Sequence, residues 1–210
     1  AHPEGLSSGL LASASAPASV FLGGVSITDL SRDGVSEILA VQESTSATPD
    51  ILRAFSATDV SPKDSLADNY FSRAVGRNIT APAVAADSLI AFGASAGMVY
   101  FARFDGVVVD SLQVSSDPLA RVTGISRYWA GTNSFLITSG GTGIITSRSA
   151  SGGTTGKDVV RNFGQTISGP AVAGSFLSAT DFRIAFGTSE GLIYLVDGQL
   201  NPFPGFPVNT

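Results

Sequence analysis

The chain has 210 residues, a net charge of −5, a pI near 4.7, two lysines (Lys63 and Lys157) and no cysteine. That composition excludes disulfides, thiolate nucleophiles and cysteine-ligated metals, and it supplies no basic stripe for nucleic acid or an anionic membrane. Hydrophobic residues make up 43% but are spread along the whole chain, with no run near the ~18–20 apolar residues of a membrane span, so a folded chain without membrane insertion is expected.

Residues 1–20 form an N-terminal segment, Ser/Ala-rich from Ser7 to Ser19, that reads as a linker or an outer strand. The chain opens at Ala1 without methionine, which fits a removed leader or a piece of something longer.

Phe21 to Val41 is the first clear unit. Val25-Ser-Ile-Thr28 alternates as a half-buried strand does, and Ile38-Leu-Ala-Val41 is its partner. Between them, Asp29, Ser31, Asp33 and Glu37 place side-chain oxygens at positions 1, 3, 5 and 9 of a loop with Gly34 at the bend. These are oxygen donors of the kind a hard cation takes, so a calcium site is one reading of the loop. The competing reading is a hairpin held by side-chain-to-backbone bonds. Ile51–Phe55 and Tyr70–Val75 complete the unit, separated by a polar loop.

The second unit starts at Gly76. Its strands are expected at Ala81–Ala85, Leu89–Phe92, Met98–Phe104 and Val107–Val114, with Asp105-Gly106 as a hairpin turn. In the third unit the strands fall at Arg121–Ile125, Phe135–Thr138, Gly143–Thr146 and Asp158–Phe163. Between the first two lie Arg127, Tyr128 and Trp129, the last being the only tryptophan. Large amphipathic rings beside a planar donor array make these three the expected recognition surface. Gly152 to Lys157 fails the spacing of a phosphate-binding loop.

The fourth unit restates the second. Gly164-Gln-Thr-Ile-Ser-Gly-Pro-Ala-Val-Ala173 matches Gly76-Arg-Asn-Ile-Thr-Ala-Pro-Ala-Val-Ala85, and Arg183–Asp197 matches Leu89–Asp105. The turn glycines Gly97, Gly143 and Gly191 recur at intervals of 46 and 48 residues. Four units of about four strands each, approximately 21–75, 76–115, 116–163 and 164–210, predict an all-β chain built as propeller blades. Four blades make either a small closed ring or an arc of a larger propeller.

The pieces Gly169-Pro-Ala-Val-Ala173, Asp29-Leu-Ser-Arg-Asp33-Gly34, Glu37-Ile-Leu-Ala-Val41, Glu190-Gly-Leu-Ile-Tyr-Leu-Val-Asp197 and Pro204-Gly-Phe-Pro-Val208 resemble bacterial β-propeller repeats of the FG-GAP/integrin-α-like and PQQ-like (VCBS-type) group. The resemblance covers residues 21–210 and implies a propeller with calcium loops of the Asp29–Gly34 kind. Only one of the four units keeps the acidic loop.

The single histidine, His2, sits beside the terminus, which leaves no basis for a zinc site or a Ser-His-Asp triad. Asp59, Asp87, Asp105, Asp110, Asp117, Asp181, Glu190 and Asp197 mostly fall at turns and strand ends, where carboxylates serve architecture. The expectation is therefore a non-catalytic, exported scaffold or protein-interaction module, found at the cell surface, outside the cell or in the periplasm. It requires no cofactor, and a calcium ion at the Asp29–Glu37 loop is the one candidate. Its partner is expected to be a protein or the remaining blades of a longer chain. The alternatives are a carbohydrate-binding module, stacking sugar on Tyr128 or Trp129, and the non-catalytic part of a larger extracellular enzyme.

Overall fold

The computed structural model describes residues 19–21, 25–30, 34–44, 50–56, 72–74, 78–86, 89–130, 133–149, 159–176, 178 and 181–210. His2, Ser31, Asp33, Asp59, Asp87 and the Gly152–Lys157 stretch lie outside them, as does the N-terminal segment up to residue 18.

The described elements are all strands. Those of the first unit are β1 (Ser19–Phe21), β2 (Ser26–Thr28), β3 (Glu37–Ser44), β4 (Ile51–Ser56) and β5 (Ser72–Ala74). The second unit holds β6 (Ile79–Ala86), β7 (Leu89–Ala94), β8 (Met98–Ala102) and β9 (Val108–Gln113). In the third are β10 (Val122–Ala130), β11 (Asn133–Gly140), β12 (Ile144–Ser149) and β13 (Val159–Asn162). The fourth has β14 (Val172–Ser175), β15 (Phe182–Gly187), β16 (Leu192–Asp197) and β17 (Val208–Asn209).

Each unit is one antiparallel sheet, and in the second, third and fourth the strands pair in chain order. The chain is an all-β propeller of four blades. The first blade differs in its inner edge, which is made in two pieces: β1 pairs with Gln42–Ser44 of β3, and β2 with Glu37–Leu39 on the same edge. The N-terminal strand thus lies innermost.

Turn chemistry sets the repeat. Gly97, Gly143 and Gly191 adopt φ of 63°, 89° and 80°, a left-handed conformation that a β-carbon disfavours. Each closes a hairpin between the second and third strands of its blade. The hairpins of the second and fourth blades share one register: Phe92 faces Tyr100 as Phe186 faces Tyr194.

Strand alternation gives a blade two apolar faces, and where two blades adjoin, their facing sides cover each other. Leu39, Val41 and Leu52 of the first blade pack against Ile90, Phe92 and Ala102 of the second. The opposite face of the second blade, with Ala91, Val99 and Phe101, packs against Val122, Ile125 and Leu136 of the third. Ile137 and Ile145 of the third meet Ile184, Phe186 and Val196 of the fourth. Burial of this kind contributes roughly 1.5–3 kcal/mol per large apolar side chain.

A charged clamp reinforces the second junction. Arg148 on β12 is buried, with its guanidinium 4.0 Å from the Phe101 ring centre and its Nη1 2.9 Å from Asp110 Oδ2 on β9.

The inner strands approach most closely, and hydroxyls tie them together. Ser26 Oγ donates to the Ala83 carbonyl at 2.7 Å, Thr80 Oγ1 to that of Val122 at 3.1 Å, and Ser126 Oγ to that of Ala171. The proximity dictates glycine. A β-carbon on Gly93 would lie 2.4 Å from the side chain of Val122, and one on Gly124 would lie 2.4 Å from Cα of Pro170.

Gly187 holds the register position of Gly93, yet a β-carbon there would meet only Ser168 Oγ, at 3.6 Å. Gly93→Ala is therefore expected to cost ~1–3 kcal/mol through overpacking, lowering Tm by about 2–10 °C in a domain of this size. Gly187→Ala is expected to leave Tm within about 1 °C. Parallel thermal melts of the two variants check both expectations.

Candidate functional site

The inner strands β6, β10 and β14 run in one direction, so their C-terminal ends lie at one end of the arc. Arg127 fixes the levels. Its Nη1 donates to the Ala85 carbonyl at 3.2 Å and to Thr28 Oγ1 at 3.5 Å. One side chain on the third blade thereby reaches the ends of the inner strands of the second and first. Thr28 immediately precedes Asp29, so the acidic loop and the Arg-Tyr-Trp stretch, about a hundred residues apart in sequence, share one end of the molecule.

The Arg127–Trp129 stretch is strand, not loop. No Gly, Pro, Asn or Asp falls between Gly124 and Gly131, and Ile-Ser-Arg-Tyr-Trp suits a pleated surface. Pairing with β11 therefore continues through Tyr128↔Phe135 and Trp129↔Ser134.

Alternation then splits the three side chains. Tyr128 is only 8% exposed; its ring stacks on Phe182 of the fourth blade with centres 4.1 Å apart, and its hydroxyl bonds Ser175 Oγ. It joins two blades and does not offer a ring face to solvent. Arg127 and Trp129 emerge on the opposite side, and Trp129 is 48% exposed. The open surface of this end is thus an indole beside a guanidinium.

In the acidic loop, Glu37 is fully buried and its Oε2 accepts the Leu30 N–H at 2.5 Å, while Asp29 Oδ2 accepts the Gly34 N–H at 2.9 Å. Both carboxylates brace the loop's own backbone. The described residues hold no cluster of three or more His, Cys, Asp or Glu side chains, and Ser31 and Asp33 stand outside those residues.

Other carboxylates also hold turns. Asp197 Oδ1 accepts N–H groups from Gln199 and Asn201, Asp105 Oδ1 accepts that of Val107, and Asp117 Oδ1 accepts that of Leu119. Asp50, buried, accepts the Ile79 N–H at 2.6 Å and anchors the second blade's first strand to the first blade.

Two exposed apolar residues escaped the sequence reading. Phe176 follows β14 at the Trp129 end, with the Arg183 guanidinium 5.7 Å from its ring centre. Leu119 tops the Asp117 turn that leads into β10, beside shallow grooves at the opposite end. The Asp117-Pro118-Leu119 turn was a usable signal for Leu119; Phe176 carried none, since Gly174–Thr180 reads only as a longer turn between strands.

The loop geometry sets an expectation for Glu37. Glu37→Ala removes the carboxylate that accepts the buried Leu30 N–H and is expected to cost ~1–3 kcal/mol, lowering Tm in a chelator as well as in calcium. A loss confined to calcium would show that the Leu30 bond contributes nothing and that Glu37 acts only as a ligand.

No family model and no curated protein matches the chain. Solved structures do. The chain superposes on a crystal structure of BBS1N in complex with ARL6DN, soaked with mercury, with TM-score 0.61 and 16% identity over 91% of its length. The lead-soaked crystal of the same complex gives TM-score 0.60 and 14% identity over 88%. The match spans 55% and 56% of those chains. Likeness at this identity establishes the β-propeller fold that the four paired sheets display.

Proposed function

We propose that the chain is a non-catalytic protein-interaction propeller that binds its partner through the end carrying Trp129. The observation behind this reading is that a half-exposed indole, Trp129, lies on the same face of one strand as Arg127, whose guanidinium is held by Ala85 and Thr28. A ring and a planar cation anchored on strands lose little freedom on binding, the usual property of an interface anchor. The two solved complexes similar in fold each pair their propeller-like chain with a protein, ARL6DN, which supports a protein as partner.

The acidic loop borders the same surface. Calcium held by Asp29, Ser31, Asp33 and Glu37 would stiffen it at the partner's edge, and chelation is then expected to lower Tm in the wild type and not in Asp33→Ala. Export to the cell surface or periplasm belongs to the same proposal and draws on the family resemblance and the low lysine content.

A photo-crosslinking residue in place of Trp129 is expected to capture a protein partner in the native source material. The same residue in place of Val160, exposed on the outermost strand of the third blade, is expected to capture none. Trp129→Ala should weaken partner binding at least tenfold with Tm unchanged. Selective binding on a saccharide array, lost in Trp129→Ala, would replace the protein reading with a glycan one.

A further inference from the structure

The far face of the fourth blade repeats, position for position, a face that is covered elsewhere in the molecule. The residue two places after the turn glycine is Val99 in the second blade, Ile145 in the third and Ile193 in the fourth. Val99 and Ile145 are completely buried by the following blade, whereas Ile193 is 40% exposed. Val172 sits opposite Ala185 as Val84 sits opposite Ala91; Val84 packs against the third blade, whereas Val172 is 67% exposed. Val208 sits opposite Ile193 as Leu112 sits opposite Val99; Leu112 packs into the same junction, whereas Val208 is 40% exposed.

Two further features of this face are built for close approach. Gly187 stands where Gly93 admits Val122 of the next inner strand, yet a β-carbon there would meet only Ser168 Oγ of its own blade, at 3.6 Å. Ser168 stands where Thr80 donates across to the next blade, yet it is exposed and donates to the Gly187 carbonyl of its own blade.

An exposed sheet face needs neither a run of β-branched side chains nor a glycine for clearance. These residues are explained by a neighbour with an inner strand like β10. The similar solved chains extend well past the part this chain matches, which covers 55% of the first.

We propose that the face formed by Val172, Ile193 and Val208 is the docking surface for a further propeller blade, a four-stranded antiparallel sheet whose innermost strand lies across Gly187. The propeller is then larger than four blades, and this face is structural. The proposal concerns a different surface from the Trp129 end, and its outcome is independent of that reading.

The chain has no cysteine, so Ile193→Cys introduces a single thiol. In the 210-residue protein that thiol is expected to react with N-ethylmaleimide at the rate of an exposed group. The test appends a second copy of residues 116–163, the blade that covers the equivalent face of the second, after Thr210 through a short Gly/Ser linker. The reaction is expected to slow at least tenfold, and Gly187→Val in the extended protein is expected to restore the fast rate. A thiol from Val160→Cys should stay fast throughout.

Unchanged reactivity with a protease-resistant extension would overturn the proposal. An extension that is digested away would overturn it equally, because the face then fails to support a blade. A native-mass dimer of the 210-residue chain, lost on Ile193→Asp, would make a second copy the occupant and overturn it as well.

Discussion

A four-stranded blade has two apolar faces and no means of burying either by itself. That constraint organises the whole chain. Alternation along β7 sends Ile90 and Phe92 toward the first blade and Ala91 toward the third. The same parity holds in the fourth blade, where Ile184 and Phe186 turn toward the third. Each sheet is therefore an adaptor between its neighbours, and stability is a chain of junctions in the manner of other repeat folds. Arg148 shows how far the junctions are specified: a buried guanidinium is tolerable because a ring of the previous blade lies under it and a carboxylate of that blade pairs with it.

Convergence of the blades makes the inner strands the tightest place, and polar chemistry follows from that. Strands that come this near place hydroxyls within reach of the next blade's carbonyls, as Ser26, Thr80 and Ser126 show. Proline fits the same strands at a cost in pairing. Pro82 has no N–H to contribute, and the β6–β7 register shifts between Ala81 and Val84. Because the inner strands share one direction, the loops after them collect at one end. The acidic loop, Arg127 and Phe176 meet there through topology, not through sequence proximity.

The period was legible because it rests on residues with an unambiguous backbone role. Glycine at a positive φ, repeated at a constant interval between apolar runs, has few readings other than stacked hairpins. The candidate site was legible only in part. Arg127, Tyr128 and Trp129 look alike as a recognition cluster, but a strand sends neighbours to opposite faces, and the register with β11 decides which. The pattern around Tyr128 contains no clue that Phe182, fifty-odd residues on, will stack on it. Glu37 is a parallel case. Spacing shows a carboxylate oxygen in the right part of a loop, but not that the Leu30 N–H has claimed one of its oxygens.

Ends and faces of the arc thus carry different kinds of information. A face can be deduced from its own repeat, because every blade states what it expects of the next one. Val99, Ile145 and Ile193 are three versions of one statement. An end has no such internal standard: its loops differ from blade to blade, and only one carries acidic residues at cation-binding spacing. The repeat therefore predicts assembly better than it predicts recognition. Individuality in a propeller of this kind lies where the copies disagree, and among these four blades they disagree most at the end where Arg127 bridges three inner strands and Trp129 stands open to solvent.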